Sequence, residues 1–191
     1  MTSYTDQGVV IKRSNFGEAD RIITLFTQNH GKVTVIARGV RKPTSKRAGS
    51  IELFNLIKAS FIKGRGELDT LGEVQSLETF STWRKHLGRV NIAYQLVEII
   101  DKITPDHQPH PKVFAMLLKF LSEIGNLKID WELEIGNWKL QILQDLGYWP
   151  EDKIFVKDID QFIENLINRP LHSPKLLHKI RHKISQSIQQ H

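Results

Sequence analysis

The stretch DRIITLFTQNHGKVTVIAR, residues 20–38, decides the fold of the N-terminal part of the chain. Apolar side chains recur at every second position in both of its halves, which is the period of a half-buried β-strand. In the second half this period places Val33, Val35 and Ala37 on one face. QNHG lies between the halves as a hairpin turn, in which Gly31 supplies a positive φ angle. The stretch therefore predicts two antiparallel strands joined by a tight turn.

Three further segments of the first 80 residues are also typical of strands. They are GVVIKRS, IELFNLIKASFIK and GELDTLGEVQSL, which begin at residues 8, 51 and 66. The last two are separated by the tight turn KGRGE, in which Gly64 and Gly66 flank Arg65. A five-stranded sheet of this size has to curl or close in order to hide its apolar face and its edges. We therefore predict a small five-stranded barrel over residues 1–80.

After Phe80 the hydrophobic period changes from two residues to between three and four, which indicates helices. Four apolar stripes follow, which begin at Leu96, Val113, Trp131 and Leu177. Three prolines separate the first two stripes, and glycines stand where the second and third helices should end. We therefore predict an α+β protein, with a barrel domain over residues 1–80 and an all-helical domain over residues 81–191.

The connection between the predicted third and fourth strands is strongly basic. ARGVRKPTSKRAGS, residues 37–50, contains five cations and no acid, and its proline and glycines prevent a helix. The cations are Arg38, Arg41, Lys42, Lys46 and Arg47. The net charge of +6 and the isoelectric point of about 9.5 also favour a polyanionic partner. Contact with phosphates is therefore favoured over a loop whose charge serves only solubility.

Two further positions extend this candidate phosphate surface. Lys32 lies on the same strand face as Thr34 and Arg38, so it could continue the positive track along the strand. Arg65, at the tip of the GRG turn, is a further candidate, although an ordinary turn that carries an arginine explains it equally well. The phenylalanines of this region mostly alternate with other apolar residues, which favours core packing over base stacking.

The sequence offers no convincing catalytic or metal site. It contains no cysteine, which excludes disulfides, thiolate zinc sites and cysteine nucleophiles. It also lacks the GxxxxGK[ST] and GxSxG motifs. His178 and His182 have the spacing of two ligands on one helix face, but Lys179, Arg181 and Lys183 around them would repel a cation. We therefore expect a protein that is not an enzyme and that holds no cofactor and no metal.

The sequence also bears on localisation. No apolar run is long enough to span a membrane. The first residues lack the basic and then apolar pattern of a secretory signal. We expect a cytoplasmic protein with no membrane partner.

Several motifs occur in an order that resembles one known family. FGEADRI, HGK, ARGVRKP and GRGEL follow each other between residues 16 and 68, and LQDLGYWP and LHSPKLLHKIRH begin at residues 143 and 171. This order resembles the RecO family of bacterial recombination mediators, most strongly over the first 80 residues. The resemblance implies an oligonucleotide/oligosaccharide-binding (OB) barrel followed by a helical domain.

The resemblance also implies partners and a function. It implies binding of single- and double-stranded DNA, annealing of complementary strands and a partnership with RecR. It further implies work on strands coated by single-stranded-DNA-binding protein and help in loading the RecA recombinase, at the bacterial nucleoid. The DNA-binding expectation falls on the basic residues of ARGVRKPTSKR and on the neighbouring strand, where the charge argument also places it.

The chain departs from the family pattern in one large respect. Many members carry a four-cysteine zinc module after a GYxP motif, whereas GYWPEDKIFVKDIDQF leads here almost directly to the last predicted helix. The basic tail that commonly follows that helix is also absent. We therefore expect a shortened form of the family that lacks the zinc module.

Two other functions stay open at this point. A protein adaptor would bind RecR or single-stranded-DNA-binding protein with little DNA affinity of its own, using the apolar helical part near Trp83, Trp131 and Trp138. An RNA-binding OB-fold protein would prefer RNA, because only RNA offers 2′-hydroxyl groups. A steep salt dependence favours DNA, a salt-tolerant peptide complex favours the adaptor, and competition with RNA separates the third function.

Overall fold

The computed structural model describes residues 2–64, 66, 68–126, 128–153 and 158–173. Its first part consists of five strands. They are β1 (Ser3–Phe16), β2 (Asp20–Thr27), β3 (Gly31–Ala37), β4 (Leu56–Ile62) and β5 (Asp69–Glu78).

The five strands close into a barrel with the order β1-β2-β3-β5-β4. All neighbours are antiparallel except β3 and β5, which run parallel and pair only where Val35 meets Asp69 and Ile36 meets Thr70. This short parallel contact is the point at which the sheet closes on itself. The prediction of a five-stranded OB barrel followed by helices is confirmed.

The alternation of residues 20–38 sets the inner face of the barrel. Val33, Val35 and Ala37 lie in the core together with Ile23 and Leu25 of β2, and each is fully buried. The turn between β2 and β3 has the predicted form, since the φ angle of the glycine at position 31 is +68°. The neighbouring positions on each strand therefore lie on the outer face of the barrel.

The prediction of a strand that begins at residue 51 is wrong for its first five residues. Residues 51–55 form turns, and β4 begins only at Leu56. Ile51 and Phe54 are apolar because they insert into the barrel core or its edge, where they are 0% and 3% exposed. The Asn55 side chain donates to the carbonyls of Gly49 and Ser50 at 3.0 and 2.9 Å, which holds the turn.

The chain after residue 80 is helical. A 3₁₀ turn at Ser81–Trp83 precedes α1 (Leu87–Ile103), α2 (Pro111–Glu123), α3 (Trp131–Asp145) and α4 (Ile159–Ile167). The sequence pattern missed α4, whose start is capped by the carboxylate of Asp158. The stripe that begins at Leu177 lies outside the described residues. In the part of the chain that the structure describes, no helix is both long and apolar enough to cross a membrane.

The chain divides into two compact units. The first contains the residues up to 80 together with 104–118, and the second contains 81–103 and the residues from 119 onward. Within the first unit, Asp106 lies 3.3 Å from the Lys32 ammonium, and the N–H of His107 donates to the Lys32 carbonyl. The division into a barrel domain and a helical domain at residue 80 stays a prediction.

The second unit has a polar network inside its apolar core. Lys139, on α3, is 2% exposed, and its ammonium donates to Asp160 at 2.6 Å and to Gln95 at 2.9 Å. This network links α1, α3 and α4 through a single buried cation. Trp131 packs edge-on against Phe120, as expected for a core tryptophan.

Candidate nucleic-acid interface

We name residues 38–55, which join β3 to β4, the basic loop. Its apolar residues insert into the barrel, and Val40, Ile51 and Phe54 are at most 3% exposed. Four of its cations are exposed instead, namely Arg38, Arg41, Lys42 and Lys46. The loop is therefore a folded element whose core contacts hold it while its charges face solvent.

The basic loop is tied to the turn between β1 and β2. The N–H of Gly39 donates to the carboxylate of Asp20 at 2.7 Å, and the N–H of Arg41 donates to the Ala19 carbonyl at 2.9 Å. The Arg41 guanidinium also donates to the carbonyl of Gly17 at 2.9 Å. These bonds hold the first cations of the loop beside that turn.

Arg47 differs from the other cations of the loop because its guanidinium is bound to the barrel. It donates to the carbonyls of Leu71 and Gly72 on β5, at 3.1 and 3.0 Å, and to the carbonyl of Arg38 at 2.7 Å. The pairing of β3 with β5 ends at Thr70, so these carbonyls lie just beyond the last strand pair. Arg47 thus ties the basic loop to the backbone of β5, beside the point where the β3–β5 pairing ends.

Two other arginines at this end of the barrel are also paired. Glu52 of the basic loop forms ion pairs with Arg13 of β1, in a very short contact, and with Arg21 of β2 at 3.4 Å. Both guanidinium groups are less than a third exposed. The four exposed cations of the basic loop therefore carry the unbalanced charge of this region.

The structure does not bring Lys32 to the basic loop. Lys32 lies on β3, whereas Arg38 follows the end of that strand, and at about 3.3 Å per residue the two positions stand roughly 20 Å apart along the chain. The Lys32 side chain is 12% exposed and pairs with Asp106. Arg65, the remaining predicted site residue, lies outside the described residues.

Part of the outer face of β2 and β3 is closed. Phe26 lies on this face and packs against Phe114, with ring centroids 6.2 Å apart. Next to it, the hydroxyls of Thr24 and Thr34 are within hydrogen-bond distance of each other at 3.1 Å, and Thr24 is 5% exposed. The open surface of this sheet therefore lies at its loop end and not at its Phe26 end.

A cleft of about 420 Å³ lies at the opposite end of the barrel from the basic loop. Tyr4, His30, Lys63 and Asp69 contribute to its lining, and the Tyr4 hydroxyl donates to Asp69 at 3.0 Å. Burial and the neighbouring Asp69 raise the pKa of Tyr4, so the phenol stays protonated. Among the described residues, this cleft is lined by one lysine, Lys63, and one carboxylate, Asp69.

Asp6 holds the turn between β2 and β3 beside this cleft. Burial alone raises the pKa of the Asp6 carboxyl, but hydrogen bonds from His30, Asn29 and Gln7 outweigh burial and lower this pKa below its ordinary value. The Nδ1 atom of His30 lies 2.7 Å from the Asp6 carboxylate, and the Asn29 amide donates to it at 2.8 Å. This carboxylate is a structural anion with several donors.

The sequence pattern missed one exposed aromatic side chain at the loop end of the barrel, which is Phe16. The prediction of core packing is confirmed for Phe26, Phe54 and Phe61, which are at most 3% exposed. Phe16 ends β1 and is 50% exposed. The available signal was its place at the end of the strand, directly before Gly17.

The closed barrel, its one parallel strand pair and the helices that follow define the class of the protein as an OB-fold protein with a helical extension. The sequence models of one family match both parts. The model described as "Recombination protein O N terminal" matches residues 1–80, and the one described as "Recombination protein O C terminal" matches residues 84–151. The chain belongs to the RecO family.

Curated relatives support this assignment. The chain is 35% identical over 150 residues to the DNA repair protein RecO of Symbiobacterium thermophilum, which covers 78% of the chain and 59% of the relative. It is 32% identical over 150 residues to that of Pelotomaculum thermopropionicum, and the match covers 78% of the chain and 57% of that relative. It is 32% identical over 157 residues to that of Cutibacterium acnes, and the match covers 79% of the chain and 63% of that relative. The chain thus spans less than two thirds of the length of these relatives.

Proposed function

We propose that this protein binds DNA in recombinational repair, through the basic loop at one end of its barrel. The observation that carries the proposal is the anchored loop with four exposed cations, Arg38, Arg41, Lys42 and Lys46. The core contacts of the loop and its bonds to residues 17–20 keep these cations together. The relatives are DNA repair proteins by name, which fits this function.

The binding mechanism is electrostatic and involves no bond chemistry. Lys and Arg neutralise backbone phosphates and release condensed counterions, which makes the affinity depend on salt. If three or four phosphates are neutralised, the slope of log K against log salt for a single strand is about −2 to −3. Backbone contacts carry no sequence information, so we expect no sequence preference from this loop.

In this proposal the cations screen the repulsion between two DNA backbones, which lets complementary strands anneal. The family membership supports further proposals about partners. These are RecR and single-stranded-DNA-binding protein as protein partners, with loading of RecA as the outcome. Binding to both single and double strands follows from phosphate contact, which either form offers.

The test is a triple charge reversal, Arg41→Glu, Lys42→Glu and Lys46→Glu, with Arg47 retained because it supports the barrel. The three reversals lower the formal net charge from +6 to 0, because each removes two units. A matched control reverses three exposed lysines of the same unit, Lys58, Lys63 and Lys112, and reaches the same net charge. We expect the loop variant to lose DNA binding and the control to keep most of it.

Circular dichroism checks that both variants stay folded. Equal losses of affinity in the two variants would show that net charge, and not the loop, governs binding. If the unmodified protein binds no DNA even at low salt, the adaptor function replaces this proposal, and a peptide partner should then bind in a salt-tolerant way. Tighter binding to RNA than to DNA of one sequence would favour the RNA-binding function.

A further inference from the structure

Phe16 is an aromatic residue of the barrel that stands out by its exposure. Half of its surface is open to solvent, whereas Phe26, Phe61 and Phe54 are at most 3% exposed. A single exposed apolar side chain is common on protein surfaces and needs no explanation by itself. Phe16 differs from such side chains because it lies directly before the turn to which the basic loop is bonded.

The strand register places Phe16 on the outer face of the barrel. Phe16 pairs with Asp20 across the β1–β2 hairpin, and directly paired residues share a face. Ile23 and Leu25 point into the core, so the even-numbered positions of β2, including Asp20, point outward. The ring is therefore on the side of the sheet that a ligand can reach.

The hydrogen bonds of the turn attach the neighbours of Phe16 to the basic loop. The carbonyl of Gly17, the residue that follows Phe16, accepts a hydrogen bond from the Arg41 guanidinium at 2.9 Å. The carboxylate of Asp20, which pairs with Phe16, accepts from the N–H of Gly39, one residue after Arg38. The residue that follows Phe16 and the residue that pairs with it are thus bonded to Arg41 and Gly39 of the basic loop.

The charges of the turn decide whether the phosphate or the base of a nucleotide can lie over Phe16. Glu18 is exposed and Asp20 is half-buried, so the turn itself carries negative charge. A phosphate is disfavoured directly over such a turn, whereas an uncharged base with an open π-face is not. Phosphates are attracted instead to Arg38 and Arg41 on the adjacent loop.

We infer that Phe16 is a stacking platform for one unpaired base of a strand whose phosphates are bound by the basic loop. The inference rests on the proposed DNA-binding function and adds a ligand class, the exposed bases of single-stranded DNA. Stacking of a base on an aromatic side chain tolerates any sequence, because every base has a π-face. Bases of a duplex are already stacked and paired, so the platform acts only on single strands.

The experiment compares Phe16→Ala with the unmodified protein on single-stranded and double-stranded DNA across a salt series. Loss of one stacked base should weaken single-strand binding by about 5- to 150-fold. Duplex binding and the salt slope should stay unchanged, because no phosphate contact is lost. Phe16→Trp should keep the affinity, and Phe16→Leu, which keeps apolar bulk without a π-face, should behave like Phe16→Ala.

A second readout reports stacking directly. A single strand that contains 2-aminopurine should lose fluorescence on binding to the unmodified protein and much less on binding to Phe16→Leu. Leu133→Ala is the matched control, since Leu133 is 75% exposed and belongs to the second unit, and it should leave all readouts unchanged.

The outcomes separate this inference from the proposed function. If the triple loop variant loses binding while Phe16→Ala and Phe16→Leu bind single strands normally, the phosphate surface stands and the stacking platform is refuted. If Phe16→Leu weakens single-strand and duplex binding equally, the residue supports the turn and does not stack, which also overturns the inference. If the triple loop variant and the Phe16 variants all bind DNA like the unmodified protein, both proposals fail.

Discussion

Replacing Arg47 by alanine should destabilise the barrel, although sequence alone places this residue among the DNA-binding cations. Its guanidinium donates to three carbonyls, two of them on β5 just beyond the last β3–β5 pair. Without Arg47 these β5 carbonyls lose a charged donor beside the point where the sheet closes. The expected effect is on the free energy of unfolding first and on DNA affinity only through the position of the loop.

The magnitude follows from the number of bonds. A hydrogen bond to a charged donor contributes about 1.5 kcal/mol or more when one partner is removed. The two carbonyls of β5 belong to half-buried contacts, whereas the carbonyl of Arg38 is exposed and can bind water instead. Counting only the two half-buried bonds gives a loss of about 3 kcal/mol for Arg47→Ala. Arg47→Lys should recover little, because an ammonium cannot reproduce the planar fork.

Urea unfolding followed by circular dichroism measures this loss, and amide hydrogen exchange in β5 localises it. Tryptophan fluorescence is unsuitable for the barrel, because all four tryptophans lie after residue 80. Lys46→Ala is the control, since this side chain is exposed, and it should change stability by less than about 0.5 kcal/mol. Equal stabilities of the Arg47→Ala and Lys46→Ala variants would refute a structural role for Arg47.

Three other substitutions probe the barrel and the helical unit. Gly31→Ala places a Cβ atom 2.1 Å from a backbone oxygen. In urea unfolding it should cost at least about 2 kcal/mol more than Gly17→Ala, where φ is also positive but space is open; equal costs would contradict this packing. The pKa of Asp6 is lowered in the folded barrel, so its stabilising effect is complete above the ordinary aspartate pKa and is lost as pH falls through the folded value. Unfolding midpoints measured against pH should therefore fall less steeply in acid for Asp6→Asn, and parallel curves would exclude this linkage. Lys139→Met should lower the free energy of unfolding, measured in urea, by about 1–3 kcal/mol. This is less than the loss on breaking a fully buried ion pair, because Asp160 is one third exposed. A variant more stable than the unmodified protein would mean that apolar packing can replace the ion pair.

Local sequence patterns were sufficient for β2, β3 and the turn between them. The period-two alternation of residues 20–38 predicted the inward side chains Val33, Val35 and Ala37, because one face of each strand must be buried. The turn at Gly31 was predictable for a similar reason, since its positive φ angle favours glycine. The inward face of the strands and the turn depend only on residues close together in the chain, so the sequence was enough to predict them.

The roles of individual side chains depended on partners far along the chain. Lys32 pairs with Asp106, and Arg47 with backbone atoms of Leu71 and Gly72, which no local pattern can indicate. Residues 51–55 were predicted as part of a strand because three of them are apolar, namely Ile51, Leu53 and Phe54. An apolar composition indicates burial, but it does not indicate that a segment pairs with another strand. The exposure of Phe16 likewise follows from where β1 leaves the barrel.

The most direct test of the DNA-binding claim is the fluorescence anisotropy of a labelled single strand of about 30 nucleotides, longer than one OB fold covers. It is titrated with the unmodified protein and with the triple loop variant across a salt series. We predict that affinity for the unmodified protein falls about 15- to 60-fold between about 50 and 200 mM salt, with little binding by the variant. Binding that is independent of salt, or equal for both proteins, would contradict a phosphate-binding role for the basic loop.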